Sequence, residues 1–122
     1  PNESISMASM IHRIHTGEEL TRPYTIGNTS FNDVAYPGDR RKCDACHVNG
    51  SEQPPVKAVR SVNDPGGYLT SVPPTTAACT SCHDSKEATA HASTNTSASQ
   101  GESCATCHGP SAEYAVTKAH AR

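Results

Sequence analysis

The chain has 122 residues, 34% of them hydrophobic, with one Phe, four Tyr, no Trp and a formal charge of −2. An ordinary globular domain is about 45–50% apolar, and each missing aromatic forfeits about 150–250 Å² of burial, so a large side-chain core is excluded. No apolar run nears the about 18–20 residues of a spanning helix, and no basic cluster exceeds Arg40-Arg41-Lys42, which argues against nucleic acid.

In chain order, residues 4–15 predict a helix, with Ile5, Met7, Ile11 and Ile14 in rough apolar spacing and Gly17 as its stop. His12 and His15 fall at i, i+3 on one face of it. Met7 and Met10 read as packing residues on the same helix rather than ligands. Residues 22–42 read as extended or looped, with Tyr24, Ile26, Phe31, Val34 and Tyr36 scattered and a Pro37-Gly38-Asp39 turn. Residues 53–76 carry Pro54-Pro55, Asp64-Pro65-Gly66-Gly67 and Pro73-Pro74, the mark of a wrapping loop. Lys86 to His91 is good helix material, and Ser93 to Gln100 reads as a polar linker. Gly109-Pro110 closes the last motif, after which Ser111 is placed to cap a helix through about Ala119.

The cysteines carry the chemistry. All six fall in three pairs of one spacing, each followed at once by His: Cys43-Asp44-Ala45-Cys46-His47, Cys79-Thr80-Ser81-Cys82-His83 and Cys104-Ala105-Thr106-Cys107-His108. C-x-x-C-H reads as covalent attachment of a c-type haem: two thioethers tether one edge of the porphyrin, and the adjacent His falls beneath the iron. A zinc site built from two CxxC pairs is closed and would orphan the third pair. A thioredoxin-like CxxC occurs once, near a βαβ pattern, and a disulfide framework ignores the histidines. With His at 7 of 122 residues, three such placements arise by chance about 2 times in 10,000. Each motif is expected on a short helical turn. One motif per about 41 residues makes the three haems themselves the core. The expected fold is a multihaem cytochrome c, mostly irregular with short α-helices and little β. It forms one domain over 1–122, with an N-terminal helix and extended segment over 1–42 and the three motifs over 43–122.

With His47, His83 and His108 as proximal ligands, four histidines remain for three distal positions: His12, His15, His91 and His120. For His120 there is a competing role as a charge at a helix end. A filled sixth position favours electron transfer over small-molecule chemistry, so supply exceeding demand predicts three bis-His haems in a conduit rather than an enzyme. The rivals are a haem enzyme with one open iron, such as a nitrogen- or sulfur-oxide reductase or a peroxidase, and an excised module of a larger cytochrome. Six propionates would take the formal −2 to about −8 with ferrous haems and about −5 with ferric ones. Arg40, Arg41, Lys42, Lys57 and Arg60 are candidates to pair with propionates, or form a solvated basic cluster.

The segment Met10-Ile11-His12-Arg13-Ile14-His15-Thr16-Gly17, the stretch ending in Tyr36-Pro37, the motif at Cys43, Cys79-Thr80-Ser81-Cys82-His83-Asp84, His91 and Cys104-Ala105-Thr106-Cys107-His108-Gly109 follow one another in this order. In this the chain resembles outer-membrane multihaem cytochromes of the OmcA/MtrC type over nearly its whole length. The resemblance implies bis-His haems, export to the cell surface or beyond rather than the periplasm, and electron transfer to minerals, electrodes or partner cytochromes. The family's five-haem domains carry two further motifs before the paired His, and flanking β-domains, that are absent from these residues. One of His12 and His15 is therefore surplus, and a haem of a neighbouring subunit is its expected target, which would make a homo-oligomer or filament with a continuous haem chain. No charged-then-apolar leader opens the sequence, so any secretion signal has gone or lies outside these residues. Asn2, Asn28, Asn49 and Asn95 also stand in Asn-x-Ser/Thr sequons, candidate glycosylation sites.

Overall fold

The computed structural model describes residues 3–56, 60–65 and 71–121. Short helices and three minimal hairpins are strung along turns, as the low apolar content demands. The first helix, α1 (Met7–Thr16), starts three residues later than the apolar spacing suggests. Ser4 is already engaged elsewhere: its hydroxyl accepts the Ser6 amide at 3.3 Å and its carbonyl accepts the Tyr24 hydroxyl at 2.6 Å. Gly17 ends α1 at φ +50°, its amide donating to the Arg13 carbonyl. Only Gly fits there, because a Cβ would meet the Val34 carbonyl oxygen. A 3₁₀ turn follows (Gly17–Glu19). Met7 does not pack: it and Ile5 are exposed, at 66% and 69%.

Within the expected extended stretch, β1 (Thr25–Ile26) pairs with β2 (Thr29–Ser30). The expected wrapping loop holds a second hairpin, β3 (Val62–Asn63) with β4 (Ser71–Val72), whose register sets Val62 opposite Val72. Those two valines and Ala77 of α2 (Pro74–Cys79) form the small apolar core, and α1 packs on α2. Lys57, Gly66 and Gly67 lie outside the described residues, as does Asn2.

The polar segment after residue 93 is no linker. Helix α3 (Lys86–Thr94), N-capped by the Ser85 hydroxyl at 3.2 Å from the Ala88 amide, runs into a hairpin of β5 (Thr96–Ser97) and β6 (Gly101–Glu102). Its turn is closed by the Ser97 hydroxyl, which accepts the Ser99 and Gln100 amides, so the small polar residues serve as turn chemistry. The third motif lies on α4 (Ala105–His108). Ser111 caps nothing: α5 spans only Val116–Ala119, with Ala115 at its N-cap. A helix from Ser111 would need the Tyr114 carbonyl, which accepts the His108 Nδ1–H at 2.9 Å instead.

Candidate haem-ligand site

Each of the three motifs makes the same turn. The His amide donates to the carbonyl of the leading Cys, His47 to Cys43 at 2.8 Å, His83 to Cys79 at 2.9 Å and His108 to Cys104 at 2.9 Å. That spacing sets the two sulfurs at i and i+3, on one side, with the imidazole one step further round. All six cysteines are free thiols, so no disulfide framework forms. Among the described residues no group of three or more His, Cys, Asp or Glu is gathered as a metal cage.

The histidines pair. His12 faces His47 with ring centroids 6.0 Å apart and planes 6° apart. His120 faces His83 at 5.9 Å and 30°, and His91 faces His108 at 6.1 Å and 84°. Every pair joins one motif histidine to one from elsewhere. Two nitrogen–metal bonds of about 2.0 Å plus the distance from each nitrogen to its ring centre come to about 6 Å, so the three centroid separations match what two imidazoles on one iron require. Met7 and Met10 enter none of these pairs.

The tautomers suit ligation. His12 Nδ1 is 2.5 Å from the Ala8 carbonyl, His15 Nδ1 2.7 Å from Ile11, His120 Nδ1 3.0 Å from Val116 and His108 Nδ1 2.9 Å from Tyr114. A carbonyl only accepts, so Nδ1 carries the proton in these four and Nε2 keeps the lone pair a metal needs. His47 Nδ1 lies 3.2 Å from the Ser51 hydroxyl. Burial, with His120 and His108 nearby, holds the His83 pKa below its ordinary value and favours the neutral, ligating form. His15 is the one histidine with no imidazole partner. Its ring meets the Tyr36 ring edge-on at 5.0 Å.

The leading cysteines all have raised thiol pKa values. Cys79 keeps surface exposure, yet the protein atoms crowding its sulfur desolvate it and, with Cys104 and Glu102, push its pKa up to about 11. Cys43 and Cys104 are raised too, chiefly by desolvation. Cys82 bears electrostatically on Cys43, and Cys104 on Cys79, so cysteines of the second motif lie near one of the first and one of the third. A cavity of about 530 Å³ lined by Asp39, Arg41, Lys42, Asp44 and His120 joins the lead of the first motif to the histidine whose ring faces His83.

Of the cations expected near propionates, Arg40 pairs with Glu19, and Arg41 pairs with Asp39 at 3.1 Å. Arg60 is exposed and Lys42 lies on the cavity. Sequence reasoning missed a buried ion cluster beside α1. Arg13 reaches Asp64 at 3.1 Å and Glu3 at 3.5 Å, Arg22 reaches the same two carboxylates at 3.3 and 3.5 Å, and Arg13 lies over the Tyr24 ring at 5.4 Å. Nothing in the spacing of Glu3, Arg13, Arg22 and Asp64 signals that they meet.

No curated protein and no solved structure matches the chain. The family model of outer membrane cytochromes, MtrC/MtrF-like, domains II/IV, matches residues 1–121. The family is one of electron-transfer cytochromes rather than enzymes, and with all but the last residue inside the match, the chain belongs to it.

Proposed function

We propose that this chain carries electrons through three covalently bound, bis-His c-type haems. The pairing of the histidines supports this most directly: three rings from three motifs each face one ring from outside the motifs, at 5.9–6.1 Å. Haem iron so ligated supplies a reversible one-electron change with both axial positions filled. Cys43, Cys46, Cys79, Cys82, Cys104 and Cys107 hold the groups. His47, His83 and His108 are proximal, and His12, His120 and His91 are their respective distal partners. In this reading the second motif, whose cysteines lie near Cys43 of the first and Cys104 of the third, is the middle of the conduit.

His15 is the surplus ligand. It shares with His12 the Nδ1 bond to a helix carbonyl, and its iron is one carried outside these residues, in our reading on a neighbouring copy. Such a contact would join copies into a filament at or beyond the cell surface. Among the described residues no helix is long and apolar enough to cross a membrane. The test is a native mass with an optical spectrum. Three haems per chain, all low-spin and blind to carbon monoxide, are expected. A high-spin band in the intact protein would favour the enzyme reading instead. Sedimentation showing only monomers at every concentration would remove the filament and leave the conduit.

A further inference from the structure

Thr16 closes α1 and is buried at 3% exposure. Its Oγ1 lies 2.7 Å from the carbonyl of His12, one turn back, and 3.1 Å from the Sγ of Cys82, 66 residues on. The Cys82 sulfur in turn lies 3.9 Å from the same His12 carbonyl. These three atoms tie the helix that carries the distal ligand of the first motif to the sulfur of the second. The arrangement follows from Gly17, which turns the chain at the point where α1 meets the second motif, and from the packing of α1 on α2. While Cys82 is a free thiol, its own proton can enter the contact. Once the sulfur is a thioether it has no proton, so the His12 carbonyl and the sulfur are both acceptors and share the single Thr16 hydroxyl proton.

Resting on the haem reading above, the geometry points to Thr16 as the residue that tunes the haem at Cys82, by donating its hydroxyl to the thioether sulfur. The positive end of the O–H dipole, held at the sulfur beside the porphyrin edge, favours the reduced state. Hydrogen bonding to iron-ligating sulfur is an established lever on reduction potential in iron–sulfur centres; a thioether sulfur meets the ring through a saturated carbon, so here the lever is the through-space field of the hydroxyl dipole. A role confined to finishing α1, through the His12 carbonyl alone, would leave every potential in place.

The experiment is a spectroelectrochemical titration of the haem-loaded protein and of Thr16→Val, which removes the hydroxyl at nearly constant volume. Thr16→Ser keeps the donor. The wave belonging to the Cys82 haem is identified with His120→Met, since a His/Met pair raises the potential of the haem it ligates. In Thr16→Val that one wave moves down, the reduced-to-oxidised ratio at fixed potential falling about threefold, which is ~30 mV for a one-electron couple. The other two waves stay, and Thr16→Ser matches the wild type. Should the valine variant lose a haem, Thr16→Ala reports the same shift with less bulk. Unmoved waves, a shift on another haem, or an equal shift of all three would overturn the assignment. A wild-type protein without three low-spin haems would overturn the haem reading instead.

Discussion

His12 and His15 are one helical turn apart, carry the same Nδ1 bond to a carbonyl four residues back, and differ in what they face: His12 the imidazole of His47, His15 the ring of Tyr36. Substituting them therefore separates ligand from surplus. His12→Ala is expected to turn one haem in three high-spin and to admit one carbon monoxide per chain, while His15→Ala in the dissociated chain leaves all three low-spin. Optical spectra before and after exposure to the gas decide it. A high-spin band in His15→Ala, with His12→Ala unchanged, would reverse the assignment. The four-for-three count of distal candidates was legible from composition and spacing. Which of two i, i+3 histidines faces His47 was not, because it depends on how α1 is rotated against a motif 28–35 residues away. That rotation is set in part by Tyr24, fully buried under Arg13. Burial, with the Glu3 and Asp64 charges, raises the Tyr24 pKa above 10.0, and Arg13 opposes the rise. The folded state thus holds the phenol's proton more tightly than the unfolded chain does. The stability so gained is complete below about pH 10 and is lost as pH climbs through the raised value. Tyr24→Phe is expected to cost about 1 kcal/mol near neutrality, since it leaves the Ser4 carbonyl without its partner, and to flatten the alkaline fall in melting temperature. An unchanged alkaline profile would remove Tyr24 from the account.

At the scale of elements, what could be read in advance was what local chemistry determines: the helix around the paired histidines with its Gly17 stop, the turn at each motif, and a helix near Lys86. What could not be read was set by partners distant in sequence. The late start of α1 follows from Tyr24 capturing Ser4, and the short α5 from His108 taking the Tyr114 carbonyl. Helix α2 shows the same dependence. It has no side-chain cap from its own N-cap residue, Pro73. Glu102 of β6 supplies one, accepting the Thr75 amide at 3.1 Å and the Thr76 amide at 2.5 Å. The residue two places before the third motif thus anchors the helix that ends in the second, and a carboxylate at a helix N-terminus also meets the helix dipole favourably. Glu102→Ala is expected to destabilise the haem-loaded protein by about 1–2 kcal/mol, read as a lower denaturant midpoint with an unchanged slope, while Glu102→Gln, which keeps an acceptor, recovers part of the loss. Equal stability of all three proteins would show that the cap is not used.

Across the whole molecule the apolar core is too small to be the organising element. Val62, Val72 and Ala77 make the only cluster of buried apolar residues among those described, and Ser4, Ser9, Arg13, Thr16, Asp64, Thr75, Thr76 and Ser81 are buried beside or away from it. Hydroxyls return their bonds to nearby carbonyls, as Ser81 does to Ala77 at 2.6 Å and Thr80 to Thr76 at 2.7 Å, but such bonds add only about 1 kcal/mol each to stability. A chain with so little apolar burial needs bound groups to offset its conformational entropy. Those groups are not equivalent. Cysteines of the second motif lie near Cys43 and near Cys104, Cys82 meets Thr16 of α1, and the motif begins on the last residue of the helix that carries Ala77. Of these, the third motif shares the one between Cys104 and Cys79. Losing the central haem should therefore cost more stability than losing the last. In Cys79→Ala/Cys82→Ala the melting temperature is expected to fall further than in Cys104→Ala/Cys107→Ala, each measured on protein verified by mass to carry its remaining two haems. The same pair separates the conduit's middle from its end: only the first variant leaves its two remaining haems without the group that stands between them, and reduction at one should reach the other more slowly. If the end variant melts lower and the central one keeps wild-type exchange, the order of the motifs along the conduit is wrong.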